Sequence, residues 1–111
     1  MHAQPFAVTI CDHTIHVHGD VDMAVTQQLL DAITSVAGNE KHHSVVVDMA
    51  SLTFLDSTGI AALIGAHKVI EAMGKEMMIK NVPENTHRTL TLAGVVDYLN
   101  VRSALRGREH C

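Results

Sequence analysis

Val45-Val46-Val47-Asp48-Met49-Ala50-Ser51-Leu52-Thr53-Phe54-Leu55-Asp56-Ser57-Thr58-Gly59-Ile60 contains the change of period on which the fold turns. Val45-Val46-Val47 is a short continuous run of β-branched residues, which predicts a central strand buried on both faces and closed by Asp48. After Leu52-Thr53-Phe54-Leu55 comes the turn Asp56-Ser57-Thr58-Gly59, and then a helical segment from Thr58 or Gly59 to Met73. Ile60, Leu63, Ile64 and Ile70 recur at spacings that let one helix face cover a sheet, while Ala61, Ala62, Gly65 and Ala66 mark a second, small-residue face. Gly65 inside a helix costs about 1 kcal/mol relative to Ala, which points to a close approach there. Gly74 stops the helix.

Upstream, Phe6, Val8 and Ile10 alternate with Ala7 and Thr9, and after Asp12-His13 the alternation resumes at Ile15 and Val17, which predicts a hairpin. Gly19-Asp20 breaks the pattern, and Asp22 is a natural N-cap. Val25, Leu29, Ile33 and Val36 then follow at three- and four-residue steps, the mark of an amphipathic helix ended by Gly38. Downstream, Met77-Met78-Ile79 forms a short strand, Pro83 opens a short helix that carries Leu90 and Ala93 and stops at Gly94, and Val95 to Val101 offers a last strand. A brief terminal helix is expected from Ser103 to Arg108. The order β-β-α-β-α-β-α-β predicts an α/β fold, a mixed central sheet with helices packed mainly on one face. One domain over residues 1–111, with its core at about 6–105, accommodates these elements.

The chain has 111 residues, of which 47% are hydrophobic and only 3% aromatic, so Val, Ile, Leu, Met and Ala must build the core. A formal charge of −4 would repel a phosphate backbone, which argues against direct nucleic-acid binding. No basic-then-apolar leader opens the sequence and no apolar run is long enough to span a membrane, so a cytoplasmic protein is expected. Cys11 and Cys111 are then expected to be reduced thiols. His16 and His18 alternate with Ile15 and Val17, which predicts that both face solvent. With His13 and His42-His43 they form no ligand set of zinc-type spacing.

Chemistry concentrates at Asp56-Ser57-Thr58-Gly59. Asp, Ser and Thr are each good N-caps, and Gly permits a tight turn, so the four residues alone are explained by capping. A serine hydrolase would place Ser57 in Gly-x-Ser-x-Gly, but position 55 is Leu and only His67, further along the helix, is available as a base. An aspartic protease would need two carboxylates sharing one site. A phosphoacceptor needs only an exposed hydroxyl and a place for the charge. A helix N-terminus is such a place, because its N–H groups and dipole stabilise an anion by roughly 0.3–1 kcal/mol at an exposed site.

Three stretches together are more specific than the turn: Val45 to Ala50, Phe54 to Ile60, and Gly65-Ala66-His67-Lys68. They resemble the STAS-domain family of bacterial anti-sigma factor antagonists. Gly19-Asp20-Val21-Asp22 is similar to that family's Gly-Glu-Leu-Asp, and Ile79-Lys80-Asn81-Val82-Pro83 and Leu90-Thr91-Leu92-Ala93-Gly94-Val95 also fit. The similarity runs from about Phe6 to Leu105. The C-terminal helix is shorter than usual in the family, and the abundance of histidine is not a family mark.

The resemblance implies that Ser57 is phosphorylated by a partner that is both serine-protein kinase and anti-sigma factor. The unphosphorylated form would bind that kinase and free a sigma factor, and a metal-dependent serine phosphatase would reset the switch. Asp22, Asp56, Thr58, Gly59, Ile60 and Leu63 would belong to the partner-binding surface. No catalytic residue, cofactor or metal is implied for this chain, and ATP would belong to the kinase. STAS modules also serve as accessory subunits of membrane transporters and as pieces of signalling assemblies. A small serine hydrolase using Ser57 is the rival from another class.

Overall fold

The computed structural model describes residues 4–101. β1 (Ala7–Cys11) and β2 (Thr14–Val21) form the expected antiparallel hairpin, with Ile10 opposite Ile15 and Cys11 opposite Thr14. Asp12 turns the chain at φ 57°, a left-handed conformation that Asp tolerates better than most residues. α1 (Thr26–Ala37) carries the chain over to β3 (Ser44–Leu55), and α2 (Ser57–Ala72) carries it to β4 (Glu76–Lys80). Both crossovers join parallel neighbours in a sheet of order β1-β2-β3-β4. Two crossovers stepping the same way share a hand, so both helices lie on the same face. α3 (Glu84–Leu92) follows β4.

Register lines up the apolar residues of that face: Ile15 of β2 lies beside Val47 of β3, which lies beside Ile79 of β4. They join Val17, Val45 and Met77 in one buried cluster with Leu29, Ile33 and Val36 of α1, Leu63, Ala66 and Ile70 of α2, and Leu90 of α3. Each such side chain contributes roughly 1.5–3 kcal/mol when fully buried. Val46, between Val45 and Val47, is also buried, so the run is covered on both faces.

Several boundaries differ from expectation. Asp48 does not close β3, which continues to Leu55. Its carboxylate is satisfied where it lies: it accepts from the Ala50 N–H at 2.9 Å, from Asn81 Nδ2 at 3.2 Å, and from His16 Nδ1 at 3.2 Å. A buried acid with partners on neighbouring strands need not end a strand. His16 is accordingly half-buried on the face opposite the helices, not solvated, and His18 Nε2 lies 3.4 Å from Thr9 Oγ1. Asp22 is not the N-cap of α1. It closes a preceding turn, with Oδ1 accepting from the Ala24 N–H at 3.0 Å and its carbonyl from the Val25 N–H at 3.1 Å, and the helix starts at Thr26. Gly65 is exposed, with nothing within 4 Å of the place its Cβ would occupy, so no close approach explains it.

Val95 to Val101 is not a strand. The Val95 N–H turns back to the Leu90 carbonyl and the Leu99 N–H to that of Val95, leaving one parallel bridge between Val101 and Ile79. Cys11 is disulfide-bonded, against the expectation of a free thiol; Cys111 lies outside the described residues, as does the helix expected from Ser103 to Arg108.

Gly19 does not break β2 but allows it to continue, through irregular register, to Val21. Its φ is +80°, and a Cβ there would collide with the Pro5 carbonyl. The crossing is held by the Asp20 N–H donating to the Gln4 carbonyl and the Gln4 N–H donating to Asp20 Oδ2, both at 3.1 Å. Gly19→Ala is therefore expected to cost about 2–4 kcal/mol from left-handed strain and overpacking together. Calorimetry should show a melting temperature roughly 10 °C lower or more; an unchanged value would mean that this crossing does not matter to the fold.

Candidate functional site

β2 and β3 finish side by side, Val21 registered with Leu55. The Asp56 N–H still donates to the Val21 carbonyl at 3.2 Å, so the chain leaving β3 is tied to the last residue of β2. Asp22 and Asp56 therefore emerge next to each other at the carboxyl ends of two parallel strands, the usual place for function in open α/β sheets.

The turn resolves which of its three polar residues is the cap. Asp56, in extended conformation, is the N-cap of α2, and Ser57 is the first helical residue. Asp56 Oδ1 accepts from the Gly59 N–H at 3.0 Å and also from the Thr58 hydroxyl. The Thr58 hydroxyl, first, and the backbone N–H groups of the turn hold the Asp56 carboxyl below the usual carboxylate range. Thr58 is thus occupied as a donor. Ser57 is exposed, and its hydroxyl has no hydrogen-bond partner among the described residues. Gly59 is buried, and a Cβ there would press on the Leu55 side chain and lie 3.1 Å from Val21 Cγ1. Glycine lets the first turn of α2 settle onto the two strand ends.

Of the residues expected on a partner-facing surface, Asp22, Asp56, Ser57, Thr58 and Ile60 reach solvent at this end of the sheet. Gly59 and Leu63 do not. Leu63 is fully buried in the core beneath the helix and supports the surface without forming it. Two residues were missed: Met23 is 75% exposed just after Asp22, and Phe54 is 51% exposed just before the turn. Phe54 had a signal, being one of only two phenylalanines in the chain yet placed beside the polar turn. His67 is not beside Ser57. Ten residues along α2, about 15 Å at the helical rise, its ring packs against Tyr98 with centroids 4.5 Å apart.

Residues 7–107 match the STAS domain family, and the chain belongs to it. An anti-sigma-B factor antagonist of Staphylococcus epidermidis is 26% identical over 89 residues, covering 80% of this chain and 82% of the relative. The anti-sigma factor antagonist SpoIIAA in its unphosphorylated form has the same fold, with a TM-score of 0.71 at 16% identity over 92% of this chain and 90% of its own. The murine anion transporter Slc26a9 contains a similar domain, with a TM-score of 0.65 at 17% identity over 87% of this chain but 17% of the transporter.

Asp56→Ala should destabilise the protein by about 1 kcal/mol at neutral pH, through loss of the cap. Because the folded-state pKa of Asp56 is lowered, its ionised form adds stability above the unfolded-state value, and that increment disappears as pH falls through the folded-state value. Denaturant titrations across the acid range should therefore show the penalty shrinking as pH falls. An equal penalty at every pH would show that the charge contributes nothing.

Proposed function

We propose that this chain is an anti-sigma factor antagonist whose switch is Ser57. In its unphosphorylated form it binds an anti-sigma factor that is also a serine-protein kinase, and so releases a sigma factor. Phosphorylation of Ser57 ends the binding, and a serine phosphatase restores it. The chain acts by binding and has no catalysis of its own. Its place is the cytoplasm, with ATP and RNA polymerase.

The observation that carries this reading is the division of labour in the turn. Asp56 caps the helix and Thr58 is tied to Asp56, which leaves Ser57 as the one exposed hydroxyl with no partner in the turn. Around it, Met23 and Phe54 offer apolar area to a partner, and Asp22 and Asp56 frame it with charge. Relatives named as anti-sigma factor antagonists, matched over most of their length, support the same reading. The distance from Ser57 to His67 disfavours a hydrolase, since proton abstraction needs a base within hydrogen-bond reach or one water away.

A phosphate on Ser57 is compatible with the fold, because it sits at the positive end of the α2 dipole. At a partner interface the balance reverses. A group of charge about −1.5 to −2 beside Asp56 would have to be desolvated against a surface fitted to a hydroxyl.

With the cognate kinase and ATP, peptide mass spectrometry should place the phosphate on Ser57 and not on Thr58. The phosphoprotein should bind the anti-sigma partner roughly 100- to 1,000-fold more weakly by calorimetry, Ser57→Asp less so, while Ser57→Ala binds and resists inactivation. Modification at Thr58, or tight binding by Ser57→Asp, would refute the switch. The fold shared with the transporter domain keeps a second reading in view, that of a STAS module serving a transporter. Copurification that yields a transporter ATPase in place of a small kinase would decide for it.

A further inference from the structure

β2, β3 and β4 run parallel to one another, and parallel sheets are normally covered on both faces. The described helices put their core residues, Leu29, Leu63 and Leu90 among them, onto one face only. On the other face a row of registered residues crosses all four strands: Cys11 of β1 beside Thr14 of β2, Thr14 beside Val46 of β3, and Val46 beside Met78 of β4. Thr14 and Val46 are only 5% and 8% exposed, yet neither belongs to the core cluster beneath the helices.

Both ends of this row point to what covers it. Cys11, at one end, is disulfide-bonded, and Cys111 is the only other cysteine in the sequence, so the bond links the hairpin to the end of the chain. At the other end the described chain finishes beside β4, where Val101 bridges Ile79. Residues 102–111 thus have to join the outer edge of β4 to β1. Four strand spacings separate those edges, about 19 Å in all, and ten extended residues reach at most about 33–36 Å. A direct crossing of the open face lies within that reach. A path over the helices does not, since climbing and descending a layer about 10–12 Å thick brings the total to about 40 Å. The segment also suits the crossing: it has Ala104 and Leu105 to set against Val46 and Met78. It carries three of the chain's eight Lys+Arg but one of its twelve Asp+Glu, so a basic segment returns to an acidic body.

We propose that residues 102–111 form a strap across this open face, latched by a Cys11–Cys111 disulfide and released by a dithiol reductant. Release is thiol–disulfide exchange. A thiolate of the reductant attacks one sulfur of the bond, forming a mixed disulfide and expelling the other cysteine, which takes up a proton. The reductant's second thiol loses its proton, attacks the mixed disulfide and frees the remaining cysteine. Two electrons and two protons pass to Cys11 and Cys111, and the reductant leaves as a cyclic disulfide. In a reducing compartment such bonds are usually transient or redox-sensing, which makes the strap a switchable cover. It is independent of Ser57, because Val46 lies nine residues before Leu55 along β3, about 30 Å at the strand rise.

The full chain is equilibrated with glutathione disulfide or with dithiothreitol, alkylated, digested and mapped by mass spectrometry. The oxidised form should yield the Cys11 peptide joined to the Cys111 peptide, and should run as a monomer on a non-reducing gel. Methyl NMR with a soluble gadolinium chelate then reads exposure of the face. On reduction, paramagnetic relaxation of the Val46 and Met78 methyls should rise severalfold, while the Val47 and Ile79 methyls beneath the helices stay unchanged. The reduced chain should also melt at least about 8 °C lower, since a cross-link closing so long a loop constrains the unfolded state. Cys111→Ser should match the reduced chain with or without reductant. A link between two copies, cysteines left unlinked in the oxidised sample, or Val46 and Met78 methyls equally shielded in both forms would overturn the proposal.

Discussion

Where Val21 of β2 is held beside Leu55 of β3, two segments leave the sheet together, and the positions of the turn, the helix and the exposed serine follow from that pairing. The Asp56 N–H extends the pairing one residue beyond the sheet by bonding to the Val21 carbonyl, which fixes the direction in which the chain enters α2. Gly59 completes the arrangement, because only a residue without a side chain lets the first helical turn rest against Leu55 and Val21. Below it, the parallel core pair of Ile15 with Val47, both fully buried, pins the same two strands, and irregularities between His16 and His18 and between Gly19 and Asp20 shift their register before Val21 reaches Leu55. A slip of one residue would exchange buried for exposed side chains along β3 and separate Asp22 from Asp56.

Asp56 carries two loads at this junction. As N-cap it satisfies the Gly59 N–H and takes the Thr58 hydroxyl, and its lowered pKa measures how firmly those donors hold its charge. As the neighbour of Ser57 it supplies a negative charge that any partner must accommodate. These roles agree while Ser57 is a neutral hydroxyl. A second anion one residue away leaves the cap intact, since its donors are already engaged, and changes the charge that the surface shows to another protein.

Much of this was legible in the sequence because the signals are local. The hairpin, the helical period of α1 and the turn at Asp56 each depend on residues a few positions apart. Asp48 was misread because its reason for being buried lies in His16 and Asn81, far away in sequence and brought close only by the sheet. Val95 to Val101 looked like a strand by composition, yet backbone bonds to Leu90 and Val95 coil most of it into turns. Leu63 was assigned both to the face that covers the sheet and to a partner surface; burial decides for the first. Ser57 was singled out from sequence as a candidate, and that its hydroxyl has no hydrogen-bond partner among the described residues depends on rotamers that no sequence pattern specifies.

α2 has opposite polarity at its two ends. Aligned peptide dipoles place partial positive charge at its start, where Asp56 sits and a phosphate would be carried, and partial negative charge at its end, where Glu71 stands instead of a compensating cation. The first end has its anion built in. At the second, the described residues supply no cation to the last turn, and Lys75 turns toward α1. Separation along the helix from Ser57 to Glu71, about 21 Å, is more than twice the screening length of about 8 Å at physiological salt, so charge added at Ser57 is largely screened at Glu71. Any link between them would have to run through a shift of the helix itself, and Leu63, Ala66 and Ile70, fully buried against the sheet, resist such a shift. A phosphate on Ser57 would therefore act on the surface around it and not on the far end of the helix.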